Sequence, residues 1–394
     1  MESIVLLGTV APFERVPLVM DRLLQVPVSV DTARRLTETI GRTQVKREDA
    51  EAERVRATLP MPATGPAVQQ LSLDGAMVPL VGGAWAEVKT LALGEVEQTT
   101  AADGSIQITT TALSYFSRLT DAETFRDLAR GELYRRGTAA ATVVCAVQDG
   151  AEWQQRFVDH HRPDAVRILD FPHALEHLGT AGRAVFGAGT AAFSEWLGVQ
   201  AHTFKHGDPT AVLTALRTLD LTVAVDPEAA MHQAEALAYF EKRRAQITYA
   251  DFRQQGYPIG SGAVESANKL VVEARLKGSG MHWDRASVSP MVSLRDLLCS
   301  NRWIAEWPAI WRAHLAASRH RRPRRTIAAS PDAPVTPPPP PSTPAPPAAL
   351  PQPAPPPPTP DAPLRVIDGR PTADHPWRKP FFRSRQRQPL PATT

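Results

Sequence analysis

Two short runs of apolar residues, each ending in an aspartate, constrain the fold of this chain more than any other feature. The run ATVVCAVQDG reaches Asp149 and the run AVRILD reaches Asp170, with a short helical stretch between them. A strand that is apolar on both faces belongs to a sheet covered on both sides, as in βαβ units. These runs therefore predict an α/β protein.

The preceding segment has a different residue pattern. The runs QLSLDGAMVPLV, AWAEVKTLALGEV and SIQITTTALSYF are rich in β-forming residues and are separated by Gly and Asp turns. They predict a meander of three antiparallel strands, and DAETFRDLARGELYRRG after them is helical in pattern. The predicted fold class is α/β, with a mixed sheet of three antiparallel strands followed by β-α-β-α-β.

Residues 1–60 predict helices with a break. Ser29 is positioned to cap a helix, with Asp31 in its first turn, and Gly41 interrupts the pattern. A short helix, a turn and a helix that carries Arg34 and Arg35 suit a helix-turn-helix DNA reader. An ordinary helical hairpin explains the same pattern equally well.

The rest of the chain divides into three parts. Residues of about 178–255 predict an all-helical insertion, and further helices close a catalytic domain spanning 70–318. From residue 319 to 394 the chain is a basic tail that contains 24 of the 38 prolines. Such a composition cannot build a packed core, so the tail is predicted to be disordered.

Charge and composition narrow the class of protein. The tail carries a net charge of +8 while residues 1–318 carry −5, so any nucleic-acid site in the body must be a local basic patch. Two cysteines, Cys145 and Cys299, cannot form a disulfide framework and predict buried thiols. Neither a secretion signal nor a membrane span is expected, and the predicted location is the cytoplasm, in association with the nucleoid.

Three acids stand at informative positions. Asp74 interrupts the first apolar strand, Asp149 ends the fourth, and Glu265 lies in the first turn of a late helix behind Gly-Ser-Gly. If the first and fourth strands are neighbours, Asp74 and Asp149 meet, and a helix packed across them brings Glu265 to the same point. Each acid taken alone has a simpler explanation: the Asp-Gly pairs could form turns, and Glu265 could be an acidic residue in the first turn of a helix.

Clustered carboxylates repel one another, and their pKa values rise unless a counter-charge is present. Two Mg²⁺ (or Mn²⁺) ions held by the three acids would remove this repulsion and create a site for phosphoryl transfer. Asp170 is a rival to Asp149 as the second acid. The acid pattern thus predicts a two-metal site on Asp74, Asp149 and Glu265.

The segment ILDFPHALEHL also contains H-x-x-E-H, formed by His173, Glu176 and His177. The two histidines are one helical turn apart and could share a zinc ion, as in a zinc hydrolase. However, the motif directly follows a buried strand and no third ligand is evident. The histidines are better interpreted as contacts beneath the acids, or as DNA contacts.

The stretches SLDGAMVPL, VQDGAEW and ILDFPHALEHL, and above all YPIGSGAVESANKLVVEARLKGSGMHW, resemble the bacterial insertion-sequence transposases of the ISKra type. The similarity runs from about Leu6 to Trp311. It implies a DDE enzyme with an RNase H-like core, with catalytic acids at Asp74, Asp149 and Glu265. It further implies Mg²⁺-dependent cleavage at the element's ends and strand transfer into target DNA.

The resemblance also implies partners: double-stranded DNA, as terminal inverted repeats and as target, and further copies of the chain on that DNA. Two departures bear on activity. The N-terminal region is shorter than is usual in the family, and the proline-rich tail is outside its pattern. A truncated or repurposed DNA-binding protein without catalysis is therefore an alternative to the transposase.

Residues that follow Glu265 in the chain could contact a phosphate near this acid. Asn268 and Lys269 follow Glu265 at helical spacing, on or near its face and within reach of a phosphate. The cations Arg275, Lys277 and Arg285 predict an edge that contacts the DNA backbone. A solvated helix face is the simpler interpretation of the same charges.

Overall fold

The computed structural model describes residues 1–62, 64–100 and 106–321, and the backbone of 366–367 and 370–371. Five strands form one mixed sheet: β1 Val68–Pro79, β2 Trp85–Thr100, β3 Ile106–Arg118, β4 Val143–Gln148 and β5 Val166–Leu169. Their order is β3-β2-β1-β4-β5. The pairs β1–β2 and β2–β3 are antiparallel, whereas β1–β4 and β4–β5 are parallel. The prediction of an α/β protein is confirmed.

Helices precede, connect and follow these strands. Those before β4 are α1 Glu2–Val10, α2 Val16–Leu24, α3 Val30–Thr58, α4 Ala122–Leu128 and α5 Arg130–Arg135. Next come α6 Glu152–His161, α7 Phe171–Phe186, α8 Ala191–His206, α9 Pro209–Arg217, α10 Ala229–Glu241 and α11 Tyr249–Gln254. The last are α12 Gly262–Ala267, a π-helical segment Asn268–Glu273, α13 Ala274–Leu276, α14 Arg285–Cys299 and α15 Trp303–Arg321. Short 3₁₀ turns occupy Phe13–Arg15, Thr138–Ala140, Leu221–Val223 and Arg244–Gln246.

The sheet separates two sets of buried side chains. On one face, Leu71 and Leu73 of β1 and Val144 of β4 pack with residues of α4, α5 and α6. On the other face, Val78 of β1 packs with α12 to α14, and Val147 of β4 packs with α7 to α11. Alternate residues of a strand point to opposite faces, so Asp74 shares the second face with Val78. Both faces are covered, as the apolar runs predicted.

The N-terminal helices pack directly on this core. Helix α3 runs through Gly41 without a break, contrary to the interrupted pattern read from the sequence. A Cβ atom at Gly41 would lie 2.5 Å from the Pro290 carbonyl oxygen, so glycine allows α14 to approach α3 closely. The predicted cap at Ser29 is present, because its hydroxyl accepts a hydrogen bond of 3.1 Å from the Thr32 N–H.

A buried polar network ties α3 and α14 to the sheet. The guanidinium of Arg118 in β3 bonds the carboxylate of Glu48 in α3, which also accepts 2.8 Å from the Ser293 hydroxyl in α14. Asp296 accepts from the N–H of Ser117 at 2.7 Å and from its hydroxyl at 2.9 Å. Burial, followed by repulsion from Glu48, raises the pKa of Asp296 to about 8. The N-terminal region is therefore bound to the sheet and α14 by charge as well as by apolar contacts.

Two compact units divide the chain, Met1–Arg325 and Thr326–Thr394. In the first, the helices between β5 and α12 begin at Phe171, earlier than the predicted start near residue 178, and α15 continues to Arg321, past the predicted end at 318. In the second, Val366–Ile367 and Arg370–Pro371 pair as two antiparallel strands. The remainder of the predicted disordered tail lies outside the described residues. No helix in the described part is both long and apolar enough to cross a bilayer.

Candidate active site

Three aspartates lie beyond the last paired residues of neighbouring parallel strands, at the same residue offsets as the pairs themselves. Residues of β1 pair with residues 75 positions later in β4, as Gln70 does with Cys145, and Asp149 lies 75 positions after Asp74. Residues of β4 pair with residues 21 positions later in β5, and Asp170 lies 21 positions after Asp149. The strands are parallel, so all three acids lie toward one edge of the sheet.

Asp74 is a half-buried acid within β1. Its Oδ1 accepts a hydrogen bond of 2.7 Å from the N–H of Gly75, and its Oδ2 accepts 2.7 Å from the side-chain amide of Asn268. Burial raises the pKa of Asp74 to about 6, and repulsion from the carboxylates of Asp149 and Glu265 adds to that effect, while the two hydrogen bonds oppose it. Asp149 and Glu265 thus each act electrostatically on Asp74.

Asp149 sits on a turn that the helical segment between β5 and α12 holds in place. Its Oδ1 accepts 2.8 Å from the Ala151 N–H, and its backbone carbonyl accepts 2.6 Å from the Tyr239 hydroxyl. The next carbonyl, that of Gly150, accepts 2.8 Å from Arg243. Gly150 has a φ of +86°, and a Cβ atom there would lie 2.4 Å from Arg243 Nε. Only glycine suits this turn.

The Tyr239 ring is covered on both faces. The His177 ring stacks on it with centroids 3.8 Å apart, and the Arg243 guanidinium lies 4.0 Å from the ring centroid. Two planar groups this close must occupy opposite faces of the ring. Tyr239 and Arg243 were not anticipated from the sequence, because they reach Asp149 only through the fold and their helix was assessed only for its apolar spacing.

Asp170, the rival second acid, has both carboxylate oxygens engaged by the backbone. Its Oδ2 caps α7 by accepting 3.1 Å from the His173 N–H, and its Oδ1 accepts 2.6 Å from the Ser261 N–H. The side chain is buried, with 4% of its surface exposed. Asp170 therefore joins β5 to the Gly-Ser-Gly loop that precedes α12, and this geometry favours Asp149 as the second acid.

Glu265 lies in the first turn of α12 and is exposed. The helix then changes to π-helical geometry from Asn268 to Glu273, an irregularity that is frequent at functional sites. Asn268 is 7% exposed and reaches Asp74, whereas Lys269 is exposed and forms no salt bridge with a described residue. The helix thus carries one acid and also a hydrogen-bond donor to another.

The two histidines of H-x-x-E-H lie on one face of α7, with ring centroids 5.0 Å apart. His173 Nδ1 lies 3.4 Å from Glu176 Oε2. Burial, then the nearby charges of His173 and Arg243, lower the pKa of His177. His177 stacks on Tyr239, so it borders the turn that holds Asp149. This location agrees with a place beneath the acids, and the zinc hypothesis stays a prediction.

The predicted backbone-binding cations differ in environment. Arg275 is 2% exposed, and its guanidinium lies between the rings of Phe13 and Trp283, at 4.7 and 4.9 Å from their centroids. Its Nε donates 3.0 Å to the carbonyl of Gly8. Burial lowers the pKa of Arg275 to about 10. Arg275 therefore joins the N-terminal region to the core and does not lie on an open edge.

The other predicted cations are exposed. Lys277 pairs with Glu273 at 2.7 Å, and Arg285 forms no salt bridge with a described residue. Arg34 and Arg35 both pair with Asp31, at 3.0 and 2.8 Å, in the first turn of α3. All four side chains are thus exposed, and three of them pair with an acidic residue of their own helical segment.

The donor set suits a hard divalent cation. Asp74, Asp149 and Glu265 offer only oxygen ligands, which Mg²⁺ and Mn²⁺ prefer. Burial is the main cause of the raised pKa of Asp74, with repulsion from Asp149 and Glu265 as smaller causes, and the buried Oδ1 of Asn268 beside it has no hydrogen-bond partner among the described residues. Among the described residues, however, no group of three His, Cys, Asp or Glu side chains is arranged so that it could hold a metal ion.

The chain was compared with known proteins. No protein-family model matches it. The curated proteins likewise include no match.

Proposed function

We propose that this chain is a DDE-type DNA transposase with an RNase H-like catalytic core. It would cut a DNA strand at insertion-sequence ends and join the freed 3′-hydroxyl to target DNA. The observation that carries the proposal is the position of Asp74 and Asp149 just beyond the paired part of the parallel strands β1 and β4, with Asp149 and Glu265 both close enough to repel Asp74. The strand order, with three antiparallel strands before two parallel ones, supports the same assignment.

In this proposal Asp74, Asp149 and Glu265 hold Mg²⁺ or Mn²⁺. When bound, the metal supplies activation of the attacking hydroxyl and stabilisation of the leaving oxygen. The acids must be ionised to act as ligands, so the raised pKa of Asp74 matters. The N–H of Gly75 and the amide of Asn268 both donate to Asp74 and favour its charged form.

The partners in this proposal are the terminal inverted repeats of the element, target DNA and further copies of the chain. The exposed cations Arg34, Arg35, Lys277 and Arg285 would contact phosphates and supply affinity without sequence choice. The body of the chain has a negative net charge, so such contacts must be local.

A DNA-binding protein without catalysis is the second candidate. One observation favours it: no three-residue metal group is already formed in the described part of the chain, and Glu265 is exposed. A catalytic transposase produces cut DNA, whereas a protein that only binds DNA does not, so the appearance of cut DNA distinguishes the two candidates.

A plasmid assay tests the proposal. The substrate is a supercoiled plasmid carrying the coding sequence with its flanking DNA, incubated with the full chain and either Mg²⁺, Mn²⁺ or a chelator. We expect nicked or linear DNA only with metal. Asp74→Asn, Asp149→Asn and Glu265→Gln should each abolish cutting yet shift the plasmid in a gel, while the exposed Asp21→Asn should cut normally. Full cutting by any of the three site variants would refute the assignment of that acid.

A further inference from the structure

A cleft of about 650 Å³ lies at the Gly-Ser-Gly loop that leads into α12. Its walls are the start of β3, the Gly-Ser-Gly loop with the first turn of α12, and side chains from the ends of α8 and α11. Gln70 and Ser266 lie among the lining residues. The cleft belongs to the same face of the sheet as Asp74, because Gln70 and Asp74 are four positions apart in β1 and alternate residues of a strand share a face.

The lining is cationic. It contains Lys205 and Arg253 and no acidic side chain. Neither cation forms a salt bridge with any residue in the described ranges. Arg253 Nη1 lies 3.1 Å from His206 Nδ1, and the His206 ring lies 4.7 Å from that of His202. The cleft lining thus carries two cations, Lys205 and Arg253, that pair with no described acid, an arrangement that attracts phosphate.

The same lining offers flat apolar surfaces. Phe171 and Tyr257 contribute aromatic rings, with Ile108 and Leu113 near them. Aromatic side chains stack on unpaired bases, whereas the bases of a duplex are already stacked on one another. Cations combined with aromatic rings are the arrangement found in grooves that bind single strands.

Two residues of the cleft lining lie close in the chain to the acids. Gln70 donates 3.1 Å to the carbonyl of Gly260 and accepts 2.5 Å from the Thr110 hydroxyl, so it bridges two walls. Gln70 lies four residues before Asp74, and Ser266 directly follows Glu265. The cleft lining therefore includes parts of the two elements, β1 and α12, that carry these acids.

We propose that this cleft binds an unpaired segment of a nucleic-acid strand, with phosphates on Lys205 and Arg253 and a base on Tyr257. The proposal rests on the proposed function, since it supplies the path by which a separated DNA strand reaches the acids. It assigns a role to the helical segment between β5 and α12, which provides both cations.

The test measures binding of a fluorescent single-stranded oligonucleotide to the full chain in chelator, over a range of salt concentrations. The double variant Lys205→Ala/Arg253→Ala should bind at least about tenfold more weakly, and the slope of log affinity against log salt should fall by about 1.4, roughly 0.7 per lost phosphate contact. The exposed Lys46→Ala, on α3, serves as the matched control and should leave both unchanged. A thermal melt of each variant checks folding.

Substitutions of Tyr257 provide a second test of the cleft. Tyr257→Ala should weaken binding about tenfold without changing the salt slope, and Tyr257→Phe should restore it, because stacking needs the ring alone. Normal oligonucleotide binding by the double variant would overturn the inference. So would a wild-type chain that binds duplex but no single strand.

Further outcomes separate this inference from the proposed function. A chain that binds single strands through this cleft but never cuts DNA refutes only the catalytic proposal. Cutting that persists while the double variant binds single strands normally refutes only the cleft. DNA and RNA oligonucleotides of one sequence, compared side by side, decide which strand is the partner, and a preference for RNA would contradict the proposed path of a DNA strand.

Discussion

The side-chain amide of Asn268 donates a hydrogen bond of 2.7 Å to the carboxylate of Asp74, which joins the helix of Glu265 to the central strand. A donor to a carboxylate favours its ionised form. The bond therefore opposes the burial and repulsion that raise the pKa of Asp74 to about 6. Its effect should be visible in the pH dependence of cleavage.

Asn268→Ala removes that donor and should raise the pKa of Asp74 further. The acidic limb of the cleavage–pH profile should then move upward by about one to two units, since a hydrogen bond to a charged group contributes roughly 1.5–3 kcal/mol net and one pKa unit corresponds to about 1.4 kcal/mol. Asn268→Asp adds a negative charge and should move the limb further. A uniform loss of rate at every pH would contradict this account of Asn268.

Asp74 should also destabilise the folded chain near neutral pH. Its pKa is about 6 in the folded protein and 3.8 as the ordinary value, so the folded state holds the proton more tightly. The resulting stabilisation is complete below about pH 3.8 and is lost as the pH rises to about 6. At pH 7.5, Asp74→Asn should thus increase the free energy of unfolding by up to about 3 kcal/mol.

Urea denaturation of the wild type and Asp74→Asn between pH 4 and 8 measures this effect. The difference between the two should grow from pH 4 to pH 6 and then level off. The exposed Asp21→Asn is the control and should show no such growth. An Asp74→Asn variant less stable than the wild type at pH 7.5 would show that the ionised Asp74 carboxylate does not destabilise the folded chain.

Tyr239 should position the turn of Asp149 without touching DNA. Tyr239→Phe removes the 2.6 Å hydrogen bond to the Asp149 carbonyl but keeps the ring between His177 and Arg243. We expect the rate of cleavage to fall about tenfold, the equivalent of one neutral hydrogen bond, with DNA affinity unchanged. The control is Tyr115→Phe, because the Tyr115 hydroxyl bonds no described residue. Equal effects of the two variants would exclude a positioning role.

Asp170 and Asp149 should respond differently to the same substitution. Asp170→Asn replaces one of the two carboxylate oxygens that accept hydrogen bonds from backbone N–H groups. The variant should be less stable by about 1–2 kcal/mol and should keep residual metal-dependent cleavage. Asp149→Asn should abolish cleavage with little effect on stability. The reverse pattern, read from urea denaturation and the plasmid assay together, would make Asp170 the second acid.

The sequence predicted the sheet because its strands carry clear local signals. Apolar runs that end in aspartate marked β4 and β5, and Gly and Asp turns separated β1 to β3. The expectation that Asp74 and Asp149 lie near each other depended on pairing of the first and fourth strands, and β1 does pair with β4. Strand periodicity thus carried most of the information about the site.

Contacts between distant segments could not be predicted in the same way. Arg275 was assigned to an open edge by its charge, but Phe13 and Trp283 enclose it from remote parts of the chain. Gly41 was taken as an interruption because the close approach of Pro290 is invisible in local sequence. Tyr239 and Arg243 reach Asp149 only after the helices fold over β4. Each case depends on tertiary packing, which overrides local pattern.

The central claim is that Asp74, Asp149 and Glu265 bind a shared divalent cation. A titration of Mn²⁺, followed by its electron paramagnetic resonance signal, measures this directly on the full chain without DNA. We predict that the wild type binds Mn²⁺, and that Asp74→Asn, Asp149→Asn and Glu265→Gln each weaken binding at least about tenfold, while Asp21→Asn does not. Mn²⁺ binding that is absent from the wild type, or unchanged in all three variants, would contradict the account.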